Sequence, residues 1–337
     1  MENMKKFLFF TLLVLLFVGC STDHQSDETS FPQKVAIIDA GSSGSRLYIY
    51  EVKADSTVKL LYPISDQEKK ESKGRAISTV ANHPDSVRAY YDGMTLSYKS
   101  GSENIPLYIL ATAGMRVQDQ ATADGVYNKL KAIGEANGFS LKAAMTIAGR
   151  YEGLYAWIAT NYENGTLTNS PKGIIEVGGV SAQLAFASKT SDIPEDNKIV
   201  RQGWGTIYSK SYLGGGINWV YEHTEDKEPF AFSVLLEDVS AYYRDNMTFF
   251  GCSTPLNVAL TGIQKTGSFE AYVGTLSRTD KYHTYMFAYY MQWLFEKLQL
   301  TGKVTLPTNG AEWTEGAAYD IIINKQQPES YDYNKKL

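Results

Sequence analysis

Hydrophobic and polar positions repeat in the same order in two segments of the chain, residues 37–47 and 174–184. The first reads IIDAGSSGSRL and the second IIEVGGVSAQL. In each segment an apolar run is followed by Gly and Ser and then by a second apolar run, which predicts two β-strands joined by a tight turn. Aligned without gaps, the segments share both isoleucines, an acidic residue, a glycine and the final leucine, at the constant offset 176 − 39 = 137. This repetition predicts two lobes of related design.

Each loop carries residue types that suit phosphate binding. Glycines let backbone N–H groups approach phosphate oxygens, serine hydroxyls add donors, and the carboxylates of Asp39 and Glu176 can hold a divalent cation. One such loop alone would more simply be a plain hairpin with a polar turn, but two matching loops would clamp a polyphosphate between lobes. A P-loop is excluded because the sequence has no G-x-x-x-x-G-K-[ST], and a dinucleotide fingerprint is disfavoured because each loop leads into a strand.

Two further segments lie between these loops. Residues 107–110 form an apolar run that predicts a strand, and ATAGMR follows at 111–116. Residues 151–162 begin a helical pattern that places Glu152 in the first turn. A carboxylate there also interacts favourably with the helix dipole, so its position alone does not make it catalytic.

Composition narrows the range of functions. The 337 residues suffice for two lobes of roughly 150 residues each. The 32 Lys and Arg against 37 Asp and Glu give a formal net charge of -5, and no long basic block occurs, so we expect no nucleic-acid binding. No obligate protein partner is evident. The four histidines are not at metal-ligand spacing from one another, which argues against a zinc site.

The N-terminal residues have the pattern of an export signal. Two lysines precede an apolar run at 7–18, which is too short to span a bilayer as a helix. The residues FVGC at 17–20 resemble a bacterial lipobox, although an ordinary signal peptide with an incidental cysteine is the alternative. We therefore expect a signal peptide at 1–19 and a lipidated Cys20 at the start of a tether over 20–33. The protein would be exported and lipid-anchored to a bacterial membrane, periplasmic or on the cell surface.

Five separated motifs occur in a fixed order along the chain. They are residues 39–46 (DAGSSGSR), 111–116 (ATAGMR), Glu152–Gly153 with Trp157 and Asn161–Tyr162, 178–183 (GGVSAQ) and 313–317 (WTEGA), with a secondary pattern at 208–216 (YSKSYLGGG). Together they resemble the motifs of the ectonucleoside triphosphate diphosphohydrolases, or apyrases, of the actin, sugar-kinase and exopolyphosphatase superfamily. The resemblance implies an α/β, two-lobed actin-like (ribonuclease H-like) ATPase fold with the active site in a cleft between the lobes. It also implies metal-dependent hydrolysis of the terminal phosphates of nucleoside tri- and diphosphates.

The resemblance assigns roles to single residues. Glu152 would be the general base for the attacking water, which Ser181 and Gln183 would position. Mg²⁺ or Ca²⁺ would be held by Asp39 and Glu176, with Thr112 near the metal. The phosphates would contact Ser42, Ser43, Gly44, Gly178, Gly179, Val180 and Ser181.

The two lobes are assigned from the order of the motifs. Lobe I would comprise residues 34–148 plus 313–337, and lobe II would comprise 149–312. Within lobe II, helical spacing of apolar residues predicts helices at 230–245 and 280–298.

The sequence departs from the family pattern at three positions. Glu176 and Ala182 stand where the family usually has Asp and Thr, and Ile217 stands where some members carry an Arg near the nucleobase. The first two bear on metal geometry, and the third leaves nucleobase preference open.

Three other functions remain open at this point. An exopolyphosphatase or guanosine pentaphosphate phosphatase would share both phosphate loops, and a catalytically inactive surface lipoprotein would only bind nucleotides. A sugar or acetate kinase is disfavoured, because no acceptor site is recognisable.

Overall fold

The computed structural model describes residues 30–98, 103–190, 192–216, 218–219, 248–252, 261–275 and 304–335. Within residues 32–337, which form one compact unit, the described strands belong to two sheets. The expected signal peptide, Cys20, Ile217 and the helices expected at 230–245 and 280–298 lie outside the described residues.

The first sheet is mixed and is built from residues 33–146. Its strands are β1 (Gln33–Ala40), β2 (Ser45–Val52), β3 (Val58–Tyr62), β4 (Lys73–Gly74), β5 (Ile105–Ala111), β6 (Glu135–Ala136) and β7 (Phe139–Thr146). Their order is β3-β2-β1-β5-β7-β6, with β4 paired to β2. The β1–β2 pair is antiparallel, whereas β1, β5 and β7 run parallel, so the loops after these three strands meet at one edge.

The second sheet has a similar plan and begins with the second hairpin. Its strands are β8 (Gly173–Val177), β9 (Ser181–Ser188), β10 (Lys198–Arg201), β11 (Gly205–Leu213), β12 (Phe249–Gly251) and β13 (Val304–Thr305), in the order β10-β11-β9-β8-β12-β13. Strands β8 and β9 are antiparallel, and β12 runs parallel to β8. Both hairpins predicted from the sequence are confirmed.

The helices of the described residues connect and cover these sheets. They include α1 (Asp66–Glu71), α2 (Ile77–Ala81), α3 (Val87–Thr95), α4 (Ala113–Arg116), α5 (Gln120–Ile133), α6 (Gly149–Glu163), α7 (Phe269–Gly274) and α8 (Trp313–Ile322). The predicted strand at 107–110 and the helix that carries Glu152 are confirmed as β5 and α6. In the described ranges no helix has the length and apolar character needed to cross a bilayer.

The central strand β1 is buried on both faces, and its side chains alternate between two hydrophobic cores. Val35 and Ile37 pack into the core that contains α6 and α8 residues. Ala36 and Ile38 pack into the core on the other face, with residues of α2, α3 and α5. Because a strand has a side-chain period of two, this double burial explains the unbroken apolar run VAII before Asp39.

Helix α6 packs against strands of the second sheet and against α8. Its residues from Glu152 to Asn161 are all buried, as expected for a helix enclosed on every side.

Gly316 lets α8 approach α6 closely, because a Cβ there would overlap the Tyr155 carbonyl oxygen. A buried ion pair also joins β10 to α8, with Arg201 Nε 2.9 Å from Asp320 Oδ1 and Nη2 2.8 Å from Oδ2. These contacts join α8 to α6 on one side and to the second sheet on the other. The assignment of residues to two lobes stays a prediction.

Candidate active site

The two hairpins present equivalent residues at equivalent positions. In the first, Asp39 pairs across the strands with Arg46, and in the second Glu176 pairs with Gln183. Both members of the pair are displaced by the same offset, since 176 − 39 = 137 and 183 − 46 = 137. The internal repeat found in the sequence is therefore a repeat of three-dimensional structure.

The two hairpin loops, residues 41–44 and 178–180, lie against each other. A Cβ on Gly179 would be 2.9 Å from Ser42 Oγ, which is too close for a real side chain. The second motif supports the first loop, because a Cβ on Gly114 would be 2.7 Å from Ser42 Cα. Gly114 is thus needed for close backbone approach, whereas Gly179 leaves room for the Ser42 hydroxyl. The sequence-predicted phosphate-binding residues Ser42, Ser43, Gly44, Gly178, Gly179 and Val180 all lie in this pair of loops, with Ser181 beginning β9.

Asp39 and Glu176 bring two carboxylates to the base of these loops. Both residues keep some exposure, yet Glu176 Oε2 is fully buried and makes no hydrogen bond. Burial raises the pKa of Asp39 to about 8; the carboxylates of Glu152 and Glu312 also raise it, and Arg46 and Trp313 oppose them. Burial raises the pKa of Glu176 well above its usual range, reinforced by Glu152 and Asp39. Mutually repelling carboxylates with an orphaned oxygen are the arrangement that a divalent cation stabilises.

These residues fit a cation that is completed by water and phosphate rather than enclosed by protein. Among the described residues, no group of three His, Cys, Asp or Glu is placed to hold a metal. Mg²⁺ usually keeps several waters and binds through one or two carboxylates plus substrate phosphates. Thr112, the third sequence-predicted metal residue, is buried beside the end of β1, with its backbone N–H 3.3 Å from the Ala40 carbonyl oxygen.

Glu152 lies in the first turn of α6 and is buried against Arg116. Arg116 Nη2 forms an ion pair with Glu152 Oε2, and the Arg116 side chain is itself only 2% exposed. Burial raises the pKa of Glu152, while the charge and the hydrogen bond of Arg116 oppose that rise. Arg116 therefore favours the ionised carboxylate, the form that a general base needs, and opposes the effect of burial.

A hydrogen-bond network joins Glu152 to the two residues expected to position water. Arg116 Nη1 donates to Ser211 Oγ at 2.9 Å, and Gln183 Nε2 donates to the same oxygen at 3.1 Å. Gln183 Nε2 also donates to Ser181 Oγ at 2.7 Å. The structure thus brings Glu152 of α6 into one largely buried network with Ser181 and Gln183 of β9.

Three residues of this site, Arg116, Ser211 and Trp313, have no role that could be assigned from the sequence. Arg116 is the last residue of the second motif and Ser211 lies in the secondary pattern. The motifs mark both residues, but the sequence does not show which residues they contact. Trp313 opens the fifth motif, hydrogen-bonds Asp39 through its side chain, and stacks on Tyr155 with ring centroids 6.2 Å apart. The signal for Trp313 was therefore the motif itself, whose position next to Asp39 only the fold reveals.

Comparison with solved structures confirms the fold. The chain is similar to a Ppx/GppA family member from Aquifex aeolicus, with a TM-score of 0.53 over 88% of this chain and 99% of that one, at 15% sequence identity. At that identity the likeness concerns the fold alone, which is the α/β actin-like fold inferred from the motifs.

Comparison of sequences gives the family. The chain is 28% identical over 262 residues to "Probable apyrase 5" of Arabidopsis thaliana, covering 73% of this chain and 50% of the relative. It is 30% identical over 207 residues to ectonucleoside triphosphate diphosphohydrolase 1 of Mus musculus, covering 52% and 40%. The chain spans half or less of the length of these two relatives. The model of the GDA1/CD39 (nucleoside phosphatase) family matches residues 25–236, so the chain belongs to this family.

Proposed function

We propose that this protein hydrolyses the terminal phosphates of nucleoside tri- and diphosphates in the presence of a divalent cation. The observation that carries the proposal is the pair of opposed Gly/Ser loops with Asp39 and Glu176 at equivalent positions and Glu152 buried nearby. The names of the relatives, apyrase and ectonucleoside triphosphate diphosphohydrolase, support the same class of substrate.

The loops would bind the phosphates and the carboxylates would hold the cation. Backbone N–H groups and serine hydroxyls within residues 41–44 and 178–181 would donate to phosphate oxygens. Asp39 and Glu176 would hold Mg²⁺ or Ca²⁺, with Thr112 close by. When bound, the cation supplies positive charge that offsets the charge of the phosphates. The protein's own task is then to position the phosphate and the attacking water.

Glu152 would accept the proton of the attacking water. Both amide hydrogens of Gln183 are engaged by Ser181 and Ser211, which leaves its carbonyl oxygen to accept from water. The oxygen of the water would form a bond to the terminal phosphorus while the bond from that phosphorus to the bridging oxygen breaks in line. The departing nucleotide keeps the bridging oxygen. A positioned general base of this kind contributes about 10²- to 10⁴-fold to the rate.

One assay tests the proposal and separates it from its rivals. We expect the purified full-length chain to release phosphate from ATP and ADP with Mg²⁺ or Ca²⁺, and to lose this activity in excess chelator. The three substrates ATP, ADP and long-chain polyphosphate are compared at equal phosphate concentration. Preference for polyphosphate would indicate an exopolyphosphatase. Nucleotide binding without release in any metal would indicate an inactive binding lipoprotein, and full activity in chelator would exclude the role of the carboxylate pair.

We also propose that Cys20 carries a lipid that anchors the protein to a bacterial membrane. The FVGC pattern motivates this, and each CH₂ of a buried lipid chain contributes about 0.8 kcal/mol to membrane binding. Cys20→Ala is expected to release the protein from the membrane fraction or to leave its signal uncut. Fractionation and intact mass of the expressed protein measure both. Unchanged mass and membrane association would rule out the lipid at Cys20.

A further inference from the structure

Two glycines of α6 let strand β11 approach the helix closely. A Cβ on Gly149 would overlap Ser211 Cβ and would lie 2.9 Å from Arg116 Nη1. One helical turn further, a Cβ on Gly153 would lie 2.6 Å from Ser209 Oγ. Because Gly149 has no side chain, Arg116 and Ser211 meet beside the first turn of α6, which carries Glu152.

Ser211 Oγ is where two arms of the site converge. It accepts one hydrogen bond from Arg116, whose other terminal nitrogen pairs with Glu152. It accepts a second from Gln183, whose amide nitrogen also donates to Ser181. A single oxygen therefore connects the expected proton acceptor with the residues expected to orient the water.

We propose that Ser211 is a positioning residue for the hydrolysis proposed above, fixing Glu152 and Gln183 relative to each other through its hydroxyl oxygen. The inference rests on that proposed function. Ser211 acts on the reaction through Arg116 and Gln183. Without its oxygen, Arg116 loses one acceptor and the amide of Gln183 loses one of the two partners that orient it, so water and base are less often aligned. Substrate binding depends on the loops and stays unchanged.

Ser211→Ala tests this directly in the full-length chain. We expect kcat to fall about tenfold with KM changed by about twofold or less, since the lost interaction aligns the transition state and does not bind substrate. Ser211 also lines a cavity of about 200 Å³, so water can fill the space that the missing oxygen leaves. The midpoint temperature of thermal unfolding should therefore stay near the wild-type value. If this variant does not fold, Ser211→Cys replaces the oxygen with a weak acceptor and should show a similar loss.

Ser209→Ala is the matched control. Ser209 lies two residues away on the same strand, is fully buried against α6, and donates to the Arg150 carbonyl oxygen at 2.6 Å. It touches α6 without joining the network, so its removal should leave kcat near the wild-type value even if stability falls. Equal losses of kcat in both variants would show that Ser211 acts only through packing.

A double-mutant cycle with Gln183→Ala supplies a readout that a merely structural role would not move. If Ser211 acts partly through Gln183, the double variant should lose clearly less activity than the product of the two single losses. If the loss in the double variant equals the product of the two single losses, or if kcat is unchanged in Ser211→Ala while the wild type is active, the role of Ser211 is refuted and the proposed function is not. An inactive wild type would instead refute the proposed function.

Discussion

Replacing Glu152 with glutamine is expected to lower kcat for ATP hydrolysis by about 100-fold or more while leaving nucleotide binding nearly intact. Glutamine keeps the shape of the side chain and an oxygen that can accept from Arg116, but it cannot take a proton from water. A general base acts only in the transition state, so the loss falls on kcat. Steady-state kinetics give kcat, and calorimetric titration with nucleotide gives the binding constant.

The control for this variant is Glu163→Gln. Glu163 is the last residue of the same helix, at the end far from the first turn. Its replacement should leave kcat unchanged. If Glu152→Gln instead weakens binding and preserves kcat, Glu152 has a structural role, such as pairing with Arg116 or with the helix dipole.

The second large effect is expected at Glu176. Glu176→Ala should reduce activity by about 100-fold or more, because the charge that holds the cation and orients its waters is lost. Glu176→Asp should keep measurable activity but change the preference between Mg²⁺ and Ca²⁺. The aspartate carboxylate falls short by one methylene, roughly 1.5 Å. Mg²⁺ requires near-ideal octahedral geometry, whereas Ca²⁺ accepts irregular shells, so the two ions respond differently to that displacement.

Titration of both metals against the wild type and the two variants measures this effect. Glu195→Ala, which removes an exposed carboxylate beside β10, is the control and should follow the wild-type curves. A normal rate and normal metal dependence in Glu176→Ala would mean that Glu176 only ends a strand next to the site.

The two hairpins and the carboxylates of the candidate site could be predicted because each is encoded by a short stretch of sequence. An apolar run, a Gly/Ser turn and a second apolar run specify a hairpin within eleven residues, and repetition at a constant offset identifies a second copy. The carboxylates Asp39 and Glu176 lie near the ends of the first strands, just before the turns, so their placement follows from the strands. Glu152 was placed in the first turn of a helix for the same local reason.

The network around Ser211 could not be predicted, because it depends on contacts between distant segments. Arg116 and Ser211 are separated by 95 residues, and Arg201 and Asp320 by 119. Which polar groups meet is decided by how closely β11 approaches α6. That approach depends on Gly149 and Gly153. In the sequence, nothing distinguishes these two residues from other glycines within a helix. The order of strands in the second sheet is likewise a property of packing that no single segment encodes.

A crystal structure of the Glu152→Gln variant with Mg²⁺ and a non-hydrolysable ATP analogue would show directly where the nucleotide and the cation bind. We expect the terminal phosphate between residues 41–44 and 178–181 and the cation beside Asp39 and Glu176. We also expect a water within hydrogen-bond reach of both Gln183 and the substituted side chain at position 152. A nucleotide bound elsewhere, with both loops free of phosphate, would contradict the proposed function.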